Sequence, residues 1–212
     1  MDPPEAVLAA IAQASGAGAI SWRHVVAGHT HAEKWLVGLQ DGRVAFVKAG
    51  NEGRATAQIE REASILAAVA APYMPRFYGA SAVDDWTVLV IEDLSRAQWP
   101  PPYVDDGAAL VDTVRQVAAT TAPEGLRRRP EGRPFGTYWQ RIVQDPEPVL
   151  AHGLFSEEWL EEAQPLLDAA ESRAQLAGDD FLHDDVWEGN ICYADRGALL
   201  IDWASATIAA PA

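Results

Sequence analysis

Four polar residues near the C-terminal end of the chain, His183, Asp185, Asn190 and Asp202, have the types and spacing for chemistry on a phosphorylated ligand. They lie in the run FLHDDVWEGNICYADRGALLIDW. There a histidine is followed two residues on by an aspartate, five further on by an asparagine, and after a short hairpin by a second aspartate. A carboxylate at Asp185 can orient or deprotonate an accepting hydroxyl. An amide oxygen from Asn190 and a carboxylate from Asp202 are the hard ligands that magnesium takes when it sits on phosphates. No other arrangement in the sequence is as specific.

Gly189-Asn190 at the end of this loop, and Trp203 directly after the second aspartate, resemble the aminoglycoside phosphotransferase and choline kinase-like family, the small-molecule relatives of the protein kinases. That family's loop reads close to H-G-D-x-x-x-x-N and its metal motif I-D-W or I-D-F. Ile201-Asp202-Trp203 matches, whereas Asp184 stands where glycine is common and Trp187 where histidine or a small polar residue is common. The resemblance implies an α+β, two-lobed protein kinase-like fold. An antiparallel-sheet N-terminal lobe would cover residues 1–94, and a mainly helical, shortened C-terminal lobe residues 95–212. It further implies Mg2+ and ATP, or GTP, bound between the lobes, with Asp185 as the base, Asn190 and Asp202 as magnesium ligands, and His183 bracing the loop.

Such a site needs a lysine on a strand, a glutamate on the next helix and a hinge strand. KWLVGLQDGRVAFVK, from Lys34 to Lys48, has two apolar runs separated by Asp41-Gly42, a strong hairpin signal. Its second strand ends in Lys48, which the resemblance makes the phosphate clamp. On the following helix, about Arg54 to Ala71, Ile59, Ala63, Leu66 and Ala70 form the apolar stripe; Glu62 borders it and fits a partner for Lys48 better than Glu60 does. The buried strand from Trp86 leads into a hinge whose backbone near Glu92 to Leu94 would meet the adenine edge. The turn Ala27-Gly28-His29-Thr30-His31-Ala32 has one glycine; Gly28, Thr30 and backbone N–H groups are its phosphate-contacting candidates. His29 and His31 read as solvent-exposed.

Helices are expected from Pro4 to Gln13, from Asp105 to Thr121 and, behind a Ser156 cap, from Ser156 to Leu176. No run of about twenty uncharged apolar residues occurs, and the N-terminus lacks a basic leader, so a cytoplasmic protein without a membrane span is expected. Cys192, the single cysteine, reads as a small buried side chain. The net charge of -15 is concentrated late: from Val143 onward fifteen acids face two bases, Arg173 and Arg196. That field favours a cationic small-molecule acceptor and disfavours nucleic acid. The basic cluster Arg127-Arg128-Arg129 reads as a solvated loop.

The chain ends ten residues after Asp202, which sets up the expectation of an incomplete acceptor half. Two other functions remain open at this point. One is a non-catalytic nucleotide-binding member of the fold; the other is a metal-dependent hydrolase using His183, Asp184, Asp185 and Asp202 as ligands. The oligomeric state is not legible.

Overall fold

The computed structural model describes residues 1–26, 31–99, 107–129, 138–153, 155–173 and 177–210. Gly28, His29 and Thr30 lie outside these, as do Pro100–Pro102.

Helix α1 (Glu5–Ser15) precedes β1 (Ala19–His24), β2 (Glu33–Leu39) and β3 (Val44–Gly50); α2 (Gly53–Ala68), β4 (Phe77–Val83) and β5 (Trp86–Glu92) follow. The strands form one antiparallel sheet in the order β1-β2-β3-β5-β4. Alternation along the strands splits this sheet into two chemically distinct faces. Trp35, Val37, Ala45, Val47, Val88 and Val90 pack with Val7 and Ile11 of α1. The alternate residues, among them Leu36, Phe46, Lys48 and Ile91, face a cleft. The β2–β3 turn forms at Asp41-Gly42 as expected, with Gly42 at φ +85 and Asp41 accepting from the Arg43 N–H.

Helix α2 buries Ile59, Ala63 and Leu66 as the stripe requires, and Ile65 and Glu62 with them. Ala70 departs from the expectation: it is exposed and lies beyond the helix, because Val69 turns extended (φ -121) ahead of Pro72. Helix α3 (Gly107–Ala118) forms inside the expected span, but the face it buries carries Thr113 and Val117, whereas Val114, apolar and at helical spacing, is exposed. Helices α4 (Tyr138–Gln144) and α5 (Glu147–Ala151) had no clear signal, being short and broken by Pro146. Helix α6 (Glu157–Arg173) starts behind Ser156, whose hydroxyl accepts from the Trp159 N–H.

The loop-bearing end is held by two small antiparallel pairs. β6 (Asp180–Leu182) joins β9 (Thr207–Ala209), and β7 (Ile191–Ala194) joins β8 (Gly197–Leu200). Arg127 and Arg128 are exposed as expected, but their backbone docks along β9: the Ile208 N–H donates to the Arg127 carbonyl, the Arg129 N–H to that of Ile208, and the Thr207 hydroxyl to the Arg127 carbonyl. A second core joins α2 and β5 to these pairs through the fully buried Trp203, which stacks on Phe181 at 5.5 Å and meets His183 edge-on at 4.5 Å. Cys192 is buried, and burial pushes its thiol up to about 12. Among the described residues no helix is long and apolar enough to cross a membrane.

Gly79 sets how closely α1 approaches the sheet. At φ +147, a Cβ there would fall 1.9 Å from the Ala14 carbonyl oxygen. Gly79→Ala is expected to destabilise the protein by about 3 kcal/mol, combining overpacking with backbone strain. A urea unfolding midpoint equal to that of the wild type would contradict this.

Candidate active site

Lys48 leaves β3 on the cleft side and places its ammonium between two carboxylates. Its Nζ lies 2.7 Å from Glu62 Oε2 and 3.2 Å from Asp202 Oδ1. Glu62 is 1% exposed and Lys48 8%. Burial disfavours the ammonium, but the Glu62 and Asp202 carboxylates together hold Lys48 above its ordinary pKa, so it is a fixed positive charge. Glu60, the competitor on α2, is exposed.

The loop is organised around Asn190. Its Nδ2 donates to both the carbonyl and the carboxylate of Asp185, at 3.0 and 2.9 Å, which leaves Oδ1 as an acceptor. His183 is 2% exposed and donates through Nε2 to the Ile201 carbonyl at 2.8 Å, tying the start of the loop to the residue before Asp202. Its Nδ1 is buried with no hydrogen-bond partner, as suits a neutral ring. Burial holds the imidazole below its ordinary value of 6.5, outweighing the Ile201 bond and the nearby aspartates.

Asp184 and Asp202 both take left-handed backbone, φ 61 and φ 63. The Asp184 carboxylate accepts from Arg129 Nη2 at 2.5 Å, an engagement that the sequence did not suggest. The Trp187 ring lies so close to Gly189 that a Cβ at Gly189 would come within 2.3 Å of it, so a larger residue there would require this half-exposed ring to shift.

The cleft is a cavity of about 370 Å³ walled by Val25, Leu36, Phe46 and Ile91, with Lys48 and Gly189 also at its edge and Glu92–Ser95 and Trp99 along the hinge. Glu92 does not turn its side chain to this space. Burial opposes its charge, but Arg196 binds the carboxylate with two nitrogens and holds it below the ordinary carboxylate range; its backbone N–H goes to the Arg76 carbonyl. The Leu94 carbonyl already accepts from the Ala97 N–H at 3.0 Å and the Trp99 indole at 2.9 Å. Among the described residues neither the Asp93 nor the Leu94 N–H has an acceptor, so both are hinge groups left for a ligand. Gly28 and Thr30 lie outside the described residues, and exposed His31 agrees with expectation.

Two features of this region escaped the sequence reading: Trp99 in the cavity wall, and the burial of Lys34 on β2. Asp41-Gly42 held a signal for the second, since a hairpin folded there sets Lys34 directly across from Lys48. The hydrolase ligand set does not assemble. His183 is committed to Ile201, Asp184 to Arg129, and among the described residues no group of three or more His, Cys, Asp or Glu is placed to hold a metal.

An α+β fold with a buried strand lysine, a helix glutamate and an H-x-D-x-x-x-x-N loop defines a kinase-like phosphotransferase. Residues 23–212 match the phosphotransferase enzyme family, and the chain belongs to that family. Spectinomycin phosphotransferase APH(9)-Ia, solved with ADP and spectinomycin, shares the fold with TM-score 0.62 at 13% identity, over 98% of this chain and 71% of its own. Macrolide 2'-phosphotransferase MphH from Brachybacterium faecium does so with TM-score 0.57 at 14% identity, over 97% and 74%. An aminoglycoside phosphotransferase from Alicyclobacillus acidocaldarius has TM-score 0.53 at 18% identity, over 99% and 69%. The chain thus spans about seven-tenths of these structures. No curated protein matches its sequence.

The neutral, buried state of His183 has a consequence for stability. An unfolded histidine takes up a proton near 6.5, whereas the folded one, with a depressed pKa, does not, so stability is present above that pH and is lost as pH falls below it. Wild type is expected to lose more unfolding free energy than His183→Gln between about pH 7.5 and about pH 5.5. Parallel stability curves in urea titrations would show that the ring is not held neutral.

Proposed function

We propose that the protein is a small-molecule kinase that moves the γ-phosphoryl group of ATP, with GTP as the second candidate donor, to a hydroxyl of a small molecule. The observation that carries this reading is the Lys48 ammonium, shared between Glu62 and Asp202 at the edge of an apolar cavity that has the size and walls for a nucleotide base. The boundary between the lobes is placed after Leu94, with residues 1–94 on the nucleotide side and 95–212 carrying the loop.

In this reading Lys48 contacts the α- and β-phosphates and Glu62 keeps it in place. Asp185 accepts the proton of the acceptor hydroxyl as that oxygen bonds to the γ-phosphorus and the bond to the β-phosphate oxygen breaks. Asn190 turns its amide nitrogen to Asp185, which fixes the carboxylate and leaves Oδ1 free. Asn190 Oδ1 and the Asp202 carboxylate form a hard-oxygen pair fit to hold Mg2+, which when bound neutralises charge on the phosphates. His183 positions the loop without touching the reactants. Gly28 and Thr30 stay phosphate-contacting candidates, and the hinge N–H groups of Asp93 and Leu94 are the candidate contacts to the base.

The acceptor is expected to be cationic, of the aminoglycoside or choline kind. The acidity of the segment after Val143 supports this, as does the half-exposed Trp187 ring two residues from Asp185, which presents a face to a cation. We place the enzyme in the cytoplasm, with no nucleic acid or membrane partner.

Thermal unfolding with ATP or GTP, each with and without magnesium, tests the donor side. Saturation at a hundred times Kd should add about 2.7 kcal/mol to wild type, and Asp202→Ala should lose the magnesium-dependent part. No shift with either nucleotide would sink the proposal. Asp185→Asn is expected to bind nucleotide as wild type does and to lose transfer by about a thousandfold or more. Nucleotide binding by wild type without transfer to any amine-bearing alcohol would select the non-catalytic reading instead.

A further inference from the structure

Helix α2 turns a second face to a second cavity. Arg61, Ser64, Ile65 and Ala68 recur at i, i+3, i+4 and i+7 and so form one stripe, with Glu62 outside it. Together with the turn Pro123–Leu126 this stripe walls a cavity of about 450 Å³ that shares no residue with the cleft.

The Arg61 guanidinium is only partly satisfied there. Its Nη2 donates to the Ala206 carbonyl at 2.7 Å, while Nε is buried with no hydrogen-bond partner. Arg128 and Arg129 ion-pair with Asp179 and Asp184, whereas among the described residues neither Arg61 nor Arg127, the neighbour of Leu126 in the cavity wall, has a carboxylate partner. Burial first and the Arg127 charge second pull the Arg61 pKa below its ordinary value, so the two guanidiniums are near enough to repel. The chain has 31 acidic residues against 16 basic ones, and none of the acids is spent on this pair. Withdrawing one guanidinium from water and setting a second near it costs stability unless an anion joins them.

The turn adds donors. Gly125 takes φ +78, and among the described residues the N–H groups of Glu124 and Gly125 have no acceptor. The Ser64 hydroxyl is not one of the donors, being bonded to the Arg61 carbonyl. The opposing group in the wall is the Glu124 carboxylate, which is exposed and paired with neither arginine. Two positive charges backed by amide donors suit a dianion with three terminal oxygens better than a carboxylate with two. Ile65, Ala68 and Leu126 supply apolar wall, and the volume is that of an organic ligand, so the anion carries a small apolar body.

We infer that this cavity binds a phosphate monoester bearing a small apolar group, with the phosphate held by Arg61 and Arg127 and the body set against Ile65 and Leu126. The inference does not depend on what occupies the cleft.

Titration calorimetry with phenyl phosphate and with inorganic phosphate tests it on wild type, Arg61→Met, Arg127→Met and Glu124→Gln. Wild type is expected to bind phenyl phosphate about fivefold or more tightly than inorganic phosphate, the share of the apolar wall. Arg61→Met should weaken phenyl phosphate about tenfold or more and Arg127→Met about threefold, each losing a cation beside the phosphate. Glu124→Gln should tighten it about twofold, since a repulsion is removed. Arg61→Met also loses the Ala206 bond, so if it fails to fold the exposed positions 127 and 124 carry the test. No binding of phenyl phosphate by wild type, or equal affinity for the two probes, would overturn the assignment. So would an affinity unchanged in both Arg127→Met and Glu124→Gln, the result expected if the probe entered the cleft instead.

Discussion

One buried positive charge ties the molecule together. The Lys48 ammonium bonds one oxygen of Glu62 from α2 and one of Asp202 from beyond β8, so three separate segments of the chain must arrive within hydrogen-bond distance of a single atom. A buried ion pair is a poor source of stability, because withdrawing the charges from water costs several kcal/mol per ion, roughly what their attraction returns. What it gives is geometry. A sheet shifted by one residue would turn Lys48 into the apolar face beneath α1 and leave Glu62 charged and alone, so the register of β2, β3 and β5 is bound to the site. The same atom links the sheet to the loop. The carboxylates proposed for catalysis are therefore placed by the sheet and the loop-bearing end together.

Trp203 converts that electrostatic contact into a packed joint. It follows Asp202 directly and lies fully buried against Phe181, Tyr73 and His183, with its indole nitrogen donating to the Leu200 carbonyl. Because the aromatic side chain is anchored, the aspartate before it has little freedom to swing away from Lys48. At the opposite edge Arg196, on the β7–β8 turn, bonds Glu92 and the carbonyls of Pro72 and Met74, fixing the hinge to the hairpin that follows Asn190. These two joints explain why a short loop of polar residues can hold its shape.

How much of this was legible in the sequence depended on the range of the interaction. His183, Asp185, Asn190 and Asp202 were readable because their spacing is local, and Lys48 because a hairpin signal precedes it. Glu62 was readable through helical periodicity, since a glutamate bordering an apolar stripe is placed toward the sheet by geometry alone. Lys34 was missed although the information was present: it and Lys48 stand seven residues either side of Asp41, so a hairpin centred there must pair them. A charged residue at a strand end reads as solvated until its register is fixed. Arg129 carried no such signal. Its partner lies 55 residues away, and only the docking of residues 127–129 along β9 brings them together. Helices α4 and α5 were invisible for a different reason, being too short to develop a periodic face.

Asp184 and Asp202 show how the loop tolerates backbone that most residues avoid. Each has φ near +60, where a side chain is crowded against its own carbonyl and aspartate is among the few non-glycine residues that settle. Each also has its carboxylate bound to a cation from a distant segment, Asp184 to Arg129 and Asp202 to Lys48. The pattern accounts for the departure at position 184. A glycine would take this conformation freely and leave the loop unanchored on that side, whereas an aspartate accepts the strain and brings an ion pair with it. The pair has a second effect. Asp184 and Asp185 are adjacent carboxylates, and the Arg129 guanidinium bonded to Asp184 sets a positive charge beside them. The added aspartate therefore trades backbone freedom for a tether while the charge beside Asp185 stays nearly neutral, which is why the substitution and the arginine must be understood as one feature.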